Sequence, residues 1–293
     1  MNSPLVSIII PTHNDRDVVC DAIDSSLNQT YNNIEILVID DGSTDNTEHL
    51  LKDAYGNRIR YIKQKNMGLS SARNNGIRSS VGKFIQFLDA DDLIDKNKLA
   101  CQLKQLRSIS GKALAYCDYI RSAIGDATVN YARMNPVITS ENPLDDFIMK
   151  WETEFSIPPH CFLFDAAFFK EYGISFDENL PTHEDWECWM NIFALNPQVV
   201  FINMPLADYR VRTNSMCANQ LKMRNGYLMA IDKQLRKHSS NSEVVDKLAA
   251  RKKEIRFLYR DTGPIMRFLR NYPPVFKKLY CEMVPWRVQR MLD

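Results

Sequence analysis

The segment Ile34-Glu35-Ile36-Leu37-Val38-Ile39-Asp40-Asp41-Gly42-Ser43 decides the reading of this chain. Its first six residues are mostly β-branched or apolar, a run too short for a typical helix and suited to a buried strand. Asp40, Asp41 and Gly42 break the run, and Ser43 or Thr44 offers a side-chain oxygen to cap a following helix. The same alternation extends outward in both directions. Upstream, residues 5–10 read as a strand and 15–27 as a helix. Downstream, 59–62 read as a short strand, 70–79 as a helix, 84–88 as a strand and 96–106 as a helix. Strands alternating with helices predict β-α units on a mostly parallel sheet. The expected fold is therefore α/β, a single Rossmann-like domain whose central sheet is flanked by helices.

Beyond about residue 110 the pattern changes. Residues 111–215 are less regular, with a loop at Pro158-Pro159 and helical spacing of Trp186, Trp189, Met190 and Phe193. Residues 216–293 read as a helical extension. Leu221, Leu228, Ile231 and Leu235 form one apolar stripe, Val245, Leu248, Ile255 and Leu258 another, with a turn at 239–242. The expected organisation is 1–110, 111–215 and 216–293.

The 293 residues are 45% hydrophobic and 25% charged, which suits a globular protein able to bury its own core. Seven cysteines with no C-x-x-C pair point to scattered reduced thiols, and so to the cytoplasm. No apolar run approaches the roughly 20 residues that cross a bilayer, and the start lacks the basic residues of a signal peptide. Residues 251–293 hold 11 basic and 4 acidic side chains, against 26 and 32 in the rest. An acidic body with a basic, aromatic-rich end disfavours nucleic acid as a partner. That end suits an anionic membrane surface, or else a packed helical pair with a solvated basic face.

Three strands end in polar clusters, at Pro11-Thr12-His13-Asn14, Asp40-Asp41-Gly42-Ser43 and Asp89-Ala90-Asp91-Asp92. Ligands of open α/β sheets bind beyond the carboxyl ends of the strands. If the three strands are neighbours, the clusters share one rim. Asp89 and Asp91 flank a small residue, and carboxylates that close repel unless a cation intervenes. Hard oxygen ligands suit Mg2+ or Mn2+. A polar turn is the plainer alternative, since aspartate is common in turns.

In order along the chain, residues 6–14, 36–45, 66–76 and 87–92 closely resemble the family 2 glycosyltransferases, an inverting group with the GT-A fold. The resemblance is strong over 4–110 and looser to about 217. It implies that 1–110 is the nucleotide-sugar-binding half and 111–215 the acceptor-binding half. Pro11 and Thr12 then form the loop under the nucleotide, with Asn14 in the same cluster. Asp41 reads the base edge beside Asp40, while Arg73 and the backbone at Gly68 line the same region. Asp91 is the main ligand of Mn2+ or Mg2+, and Asp89 its partner near the ribose. Asp40 and Asp41 can equally satisfy the turn at Gly42, and Arg73 can equally be a structural ion-pair partner.

Inverting transfer needs a base for the acceptor hydroxyl. Glu184-Asp185 before Trp186 resembles the family's acidic pair, which makes Asp185 the base and gives Glu184 the acceptor. Acidic residues also suit a helix start on electrostatic grounds alone. His160 and His183 are further candidates in the acceptor region, with His160, after Pro158-Pro159, on a loop placed to face the sugar. In Tyr209-Arg210-Val211-Arg212, Arg212 stands where many relatives have a metal-binding histidine. A guanidinium cannot ligate a metal, but it can grip a diphosphate.

The expected function is single-sugar transfer from a nucleotide-diphospho-sugar, UDP-linked, to a glycan or lipid-linked glycan in cell-surface polysaccharide or glycoconjugate synthesis. The enzyme would be cytoplasmic, peripheral on the inner face of the plasma membrane. One alternative is a non-catalytic nucleotide-sugar-binding protein in a glycan-assembly complex. A nucleotidyltransferase fits less well, because the first strand leads into no Gly-rich basic loop.

Overall fold

A computed structural model describes residues 3–107, 109, 111–124, 132–212 and 219–258. It separates into two compact units. The first comprises Met1–Asn135, Ile157–Asn179 and Ala194–Ser215, and the second Pro136–Ser156, Leu180–Phe193 and Met216–Asp293.

The first unit opens with strand β1 (Val6–Thr12), helix α1 (Val19–Leu27), β2 (Ile34–Asp40), α2 (Thr47–Tyr55), β3 (Arg60–Lys63), α3 (Leu69–Ser79) and β4 (Phe84–Phe87). There follow β5 (Leu93–Ile94), α4 (Lys98–Leu106), β6 (Ala113–Ala123) and β7 (Ala132–Arg133). After helix α5 (Pro143–Met149), which belongs to the second unit, come β8 (Phe162–Asp165) and α6 (Ala167–Lys170). The second unit then takes α7 (Glu184–Phe193), the first regains β9 (Gln198–Val211), and α8 (Gln220–Lys237) and α9 (Ser242–Leu258) complete the second.

All the described strands lie in the first unit and form one sheet, ordered β3-β2-β1-β4-β8-β6-β9-β5, with β7 on β6. The β3-β2-β1-β4 half is wholly parallel, as the strand-helix alternation predicts. Beyond β4 the pairing is mixed. Strand β8 runs antiparallel to β4 and β6, and β9 runs parallel to β6. Strand β1 reads as a near-continuous apolar run because both its faces are covered, and every residue of it is buried. Val6, Ile8 and Ile10 on β1 share a core with Ile36, Val38, Val19, Ile23, Leu99 and Leu103.

Two helix starts differ from the sequence reading. Helix α1 begins at Val19 rather than at residue 15. The Asp15 carboxylate accepts the His13 N–H and pairs with Arg212, which holds that residue outside the helix. Helix α2 is capped neither by Ser43 nor by Thr44. It starts after Asn46, which is left-handed at φ 68°, and Asp45 accepts the Thr47 N–H. Ser43 and Thr44 bond to Asn14 instead.

The second unit packs α5, α7, α8 and α9 around aromatic rings. Trp186 and Trp189 are fully buried, and Trp186 donates its indole N–H to the Phe147 carbonyl. The expected stripe on α8 is rotated. Leu221 is 66% exposed, and the buried face is Tyr227, Ala230, Ile231 and Gln234. Tyr227 and Gln234 win that face because they have partners within the unit: Tyr227 stacks on His183, and the Gln234 amide donates to Glu187. Helix α9 buries Val244, Leu248, Arg251 and Ile255, with the Arg251 guanidinium over the Tyr227 ring. Most of the basic segment 251–293 lies outside the described residues.

Helix α3 approaches β1 closely at Gly76, where an added Cβ would fall 2.3 Å from Ile9 Cγ2. Alanine in a helix interior otherwise gains about 1 kcal/mol over glycine. Here overpacking reverses the sign, and Gly76→Ala is expected to cost about 1–3 kcal/mol in a urea melt. A neutral or stabilising effect would show that α3 is not held this tightly.

Candidate functional site

Parallel pairing sets the site. Thr12 stands opposite Asp40 in the β1-β2 register, and Ile9 opposite Phe87 in the β1-β4 register. The carboxyl ends of β2, β1 and β4 are therefore adjacent, and the three polar clusters share one rim.

On the β2 side most groups hold each other. Asp40 is fully buried, accepting the Ser43 N–H at 2.7 Å and the Tyr61 hydroxyl. Asp41 is also buried, and it accepts the N–H groups of Met67 and Gly68 at 2.9 and 2.7 Å and the Gln64 amide at 2.8 Å. Both thus brace the turn and the loop leading to α3. Asn14, left-handed at φ 56°, ties the rim together by accepting the Thr44 N–H at 2.8 Å. His13 does likewise: Nδ1 donates to the Asp41 carbonyl, and Nε2 accepts from the Asn14 and Asn66 amides. Pro11 is buried at the end of β1. Thr12 is buried too, and its Oγ1 has no hydrogen-bond partner among the described residues. Gly68, at φ +90°, begins α3 with open space where a Cβ would stand.

On the β4 side each carboxylate meets a basic group. Asp89 accepts the Arg73 guanidinium with both oxygens, at 2.7 and 3.0 Å. Arg73 is 2% exposed and lies over the Phe176 ring, so its ion pair with Asp89 is built into the core. Asp92 accepts the Arg210 N–H at 2.8 Å, and its other oxygen lies 2.9 Å from His160 Nδ1. Arg210 also binds the Asp91 carbonyl and Asp21. Asp91 itself faces Arg212, whose Nε is 3.1 Å away.

His160 corrects an expectation. Rather than facing a sugar, it is fully buried beneath the Asp89–Asp92 turn. Burial opposes charging its ring, but Asp92 and Asp89 outweigh that, and its pKa is raised. Its place follows from a 3-10 turn at Pro159–Cys161 leading into β8, beside β4.

The Asp91 pKa is pushed up to about 7, by burial first and then by Asp92 and Asp89, against the pull of Arg212. This is the mark of a carboxylate short of positive charge. A hard divalent cation fits that deficit. Among the described residues no group of three or more His, Cys, Asp or Glu is placed to hold one. The protein would give one or two oxygens and leave the rest to phosphate and water, as suits magnesium-type ions.

The second unit presents Glu184 and Asp185 as the first two residues of α7, both half-buried, with Asp185 accepting the Trp186 N–H at 2.7 Å. Before them, His183 is left-handed at φ 63° and buried. Its Nε2 lies 3.1 Å from Glu152, itself left-handed at φ 60°, and its ring stacks on Tyr227. Two non-glycine residues in this conformation, joined to each other, hold the helix start in place.

Arg210, Asp15, Asp92 and Glu152 were not singled out from the sequence. Their partners lie 118, 197, 68 and 31 residues away, and no local signal marks such pairs.

The fold matches solved GT-A transferases. Against residues 1–349 of S. aureus TarS, solved in complex with UDP-GlcNAc, the TM-score is 0.63 with 18% identity, covering 84% of this chain and 72% of that one. Against the mannosyltransferase PcManGT of Pyrobaculum calidifontis, in complex with GDP-Man and Mn2+, it is 0.59 with 15% identity, covering 99% and 84%. These likenesses speak for the fold. In sequence, an uncharacterized glycosyltransferase of Rickettsia typhi is 34% identical over 241 residues, 79% of this chain and 74% of that protein. Residues 7–173 match the model of Glycosyl transferase family 2. The chain belongs to glycosyl transferase family 2.

The His183 pair gives a pH-dependent test. Burial lowers the proton affinity of this imidazole, but the Glu152 bond and the nearby Asp185 and Glu184 raise it more, so the net shift is upward. The stability it adds is fully present below its unfolded pKa of about 6.5 and is lost as pH rises through the higher folded value. His183→Asn keeps a residue tolerated at positive φ. The gap in melting temperature between wild type and variant should be widest near pH ~5.5 and narrow toward pH ~8.5. A gap that does not change with pH would show that the pair does not titrate with folding.

Proposed function

We propose that this protein transfers a single sugar, with inversion at the anomeric carbon, from a UDP-linked nucleotide-sugar to a glycan or lipid-linked glycan. The observation that carries this reading is the rim shared by β2, β1 and β4, where a buried hydroxyl with no partner among the described residues and an under-compensated carboxylate lie on one sheet edge. Family membership supports it.

Thr12 Oγ1 hydrogen-bonds the nucleotide, with Pro11 and Asn14 shaping the loop beneath it. Asp41 uses three of its roughly four lone-pair sites on the 64–68 loop and offers the last to a base N–H. Gly68 lets the diphosphate approach the positive end of α3. Arg73 holds Asp89 in place near the ribose, and Asp40 supports the turn beside the base. Asp91, with Asp89 nearby, would hold Mn2+ or Mg2+, which when bound would supply positive charge for the departing diphosphate. Arg212 grips that diphosphate with its planar fork.

Asp185 accepts the proton of the acceptor hydroxyl as its oxygen bonds to the anomeric carbon. The bond from that carbon to the diphosphate oxygen breaks on the opposite face, and the nucleoside diphosphate leaves. Glu184 orients the acceptor. His160 acts through Asp92, below the substrate. Residues 1–110 serve the donor and 111–215 the acceptor. The basic segment 251–293 meets an anionic membrane on its cytoplasmic side, in cell-surface polysaccharide synthesis. No helix among the described residues is long and apolar enough to cross that membrane.

The pairing of Arg212 with Asp91 is the one observation that favours a non-catalytic nucleotide-sugar-binding role. Donors are first screened by thermal shift with and without Mn2+, since a bound ligand stabilises the fold by mass action. With the donor that binds, Asp185→Asn should lower release of nucleoside diphosphate by about 10²- to 10⁴-fold while donor binding persists. Asp91→Ala should weaken both. Near-normal turnover in either variant would overturn the mechanism, and absence of any turnover in the wild type would favour the binding role.

A further inference from the structure

One guanidinium serves two carboxylates at the rim. Arg212 Nη1 lies 2.8 Å from Asp15 Oδ1, and its Nε 3.1 Å from Asp91 Oδ2. Asp15 precedes α1, Asp91 follows β4, and Arg212 follows β9. Three segments far apart in sequence thus converge on this side chain.

The neighbouring cations are locked in place. Arg73 is 2% exposed and clamps Asp89 over Phe176. The Arg210 side chain is 10% exposed and is bound to Asp21 and to the Asp91 carbonyl. Arg212 is 32% exposed, and its partners Asp15 and Asp91 are 20% and 33% exposed. Of these three guanidinium groups, Arg212 is the most exposed and can leave without opening the core.

We infer that Arg212 is a displaceable internal counter-ion, which occupies Asp91 until a nucleoside diphosphate draws it away. This rests on the reading of Asp91 and the diphosphate site proposed above. Without nucleotide, Arg212 competes with a divalent cation for the same carboxylate oxygen. A diphosphate offers the guanidinium a bidentate, doubly charged partner in place of two single carboxylate contacts. When Arg212 turns to it, Asp91 is released. Binding of cation and of diphosphate is thereby coupled. Coupling is reciprocal, so each ligand raises the affinity for the other by the same factor. The consequence is an order of loading: the cation binds poorly alone and well with the nucleotide.

The test measures Mn2+ binding from the loss of the free-ion paramagnetic resonance signal, without nucleotide and with UDP or GDP. Protein-free titrations correct for Mn2+ held by the nucleotide alone. Wild type should bind Mn2+ about tenfold or more tightly with the nucleoside diphosphate than without it. Arg212→Gln should bind Mn2+ alone about tenfold more tightly than wild type, and UDP alone more weakly. Its coupling factor should shrink without reaching one, because the diphosphate also contributes oxygens. Arg212→Lys keeps a charge but loses the fork, so it should shift the same way by less. Melting curves confirm that both variants fold, and either variant suffices for the comparison.

If wild type binds Mn2+ with a nucleoside diphosphate but neither variant gains affinity for Mn2+ alone, this inference fails and the site reading stands. If wild type binds no Mn2+ even with UDP or GDP, both fail.

Discussion

The site rests on the electrostatic cost of collecting carboxylates at one edge of a sheet. Parallel pairing of β1 with β2 and β4 aligns three strand ends, and each ends in polar or acidic residues. Asp89, Asp91 and Asp92 then occupy a single turn. Like charges this close, and partly buried, are unfavourable without compensation. The fold answers with basic side chains from elsewhere, Arg73 from α3, Arg212 beyond β9 and His160 from the turn before β8, while Arg210 of β9 gives its backbone N–H to Asp92 and its guanidinium to the Asp91 carbonyl. Strands β8 and β9 are thus held to this edge of the sheet by charge as well as by ladder hydrogen bonds.

Compensation is uneven across the turn. Asp89 is held by a buried guanidinium and Asp92 is buried with its imidazole, whereas Asp91 keeps a half-exposed guanidinium and a raised pKa. A buried, well-matched pair makes a rigid floor. An exposed pair exchanges partners at small cost, because solvent weakens the bond being broken. The same turn therefore holds two carboxylates on buried partners and one on a partner open to solvent.

The second unit uses conformational strain in a similar way. His183 and Glu152 each adopt a left-handed backbone that costs about 1–3 kcal/mol, and their mutual bond with the Tyr227 stack offsets it. The result is a helix start with Glu184 and Asp185 fixed in direction. The acidic pair before Trp186 is visible in the sequence. The paired strain beneath it is not, since neither His183 nor Glu152 carries a sign of its backbone angle.

Sequence alone determined what local rules govern. The apolar run at 34–39, the breaks at Gly42 and at 89–92, and their repetition predicted the parallel half of the sheet and its shared rim. Strand propensity and turn chemistry act over a few residues, so they are legible there. The ordered motifs fixed the family for the same reason, as each motif is contiguous. Tertiary structure decided the partners. It turned Arg73 into the clamp of Asp89, withdrew His160 from the surface, drew Asp15 out of α1 and rotated the buried face of α8 away from Leu221. Each outcome follows from a charge or a ring that must be matched once water is excluded, by a residue 16 to 197 positions away. Propensity and turn rules, which act over a few residues, do not join the members of such a pair.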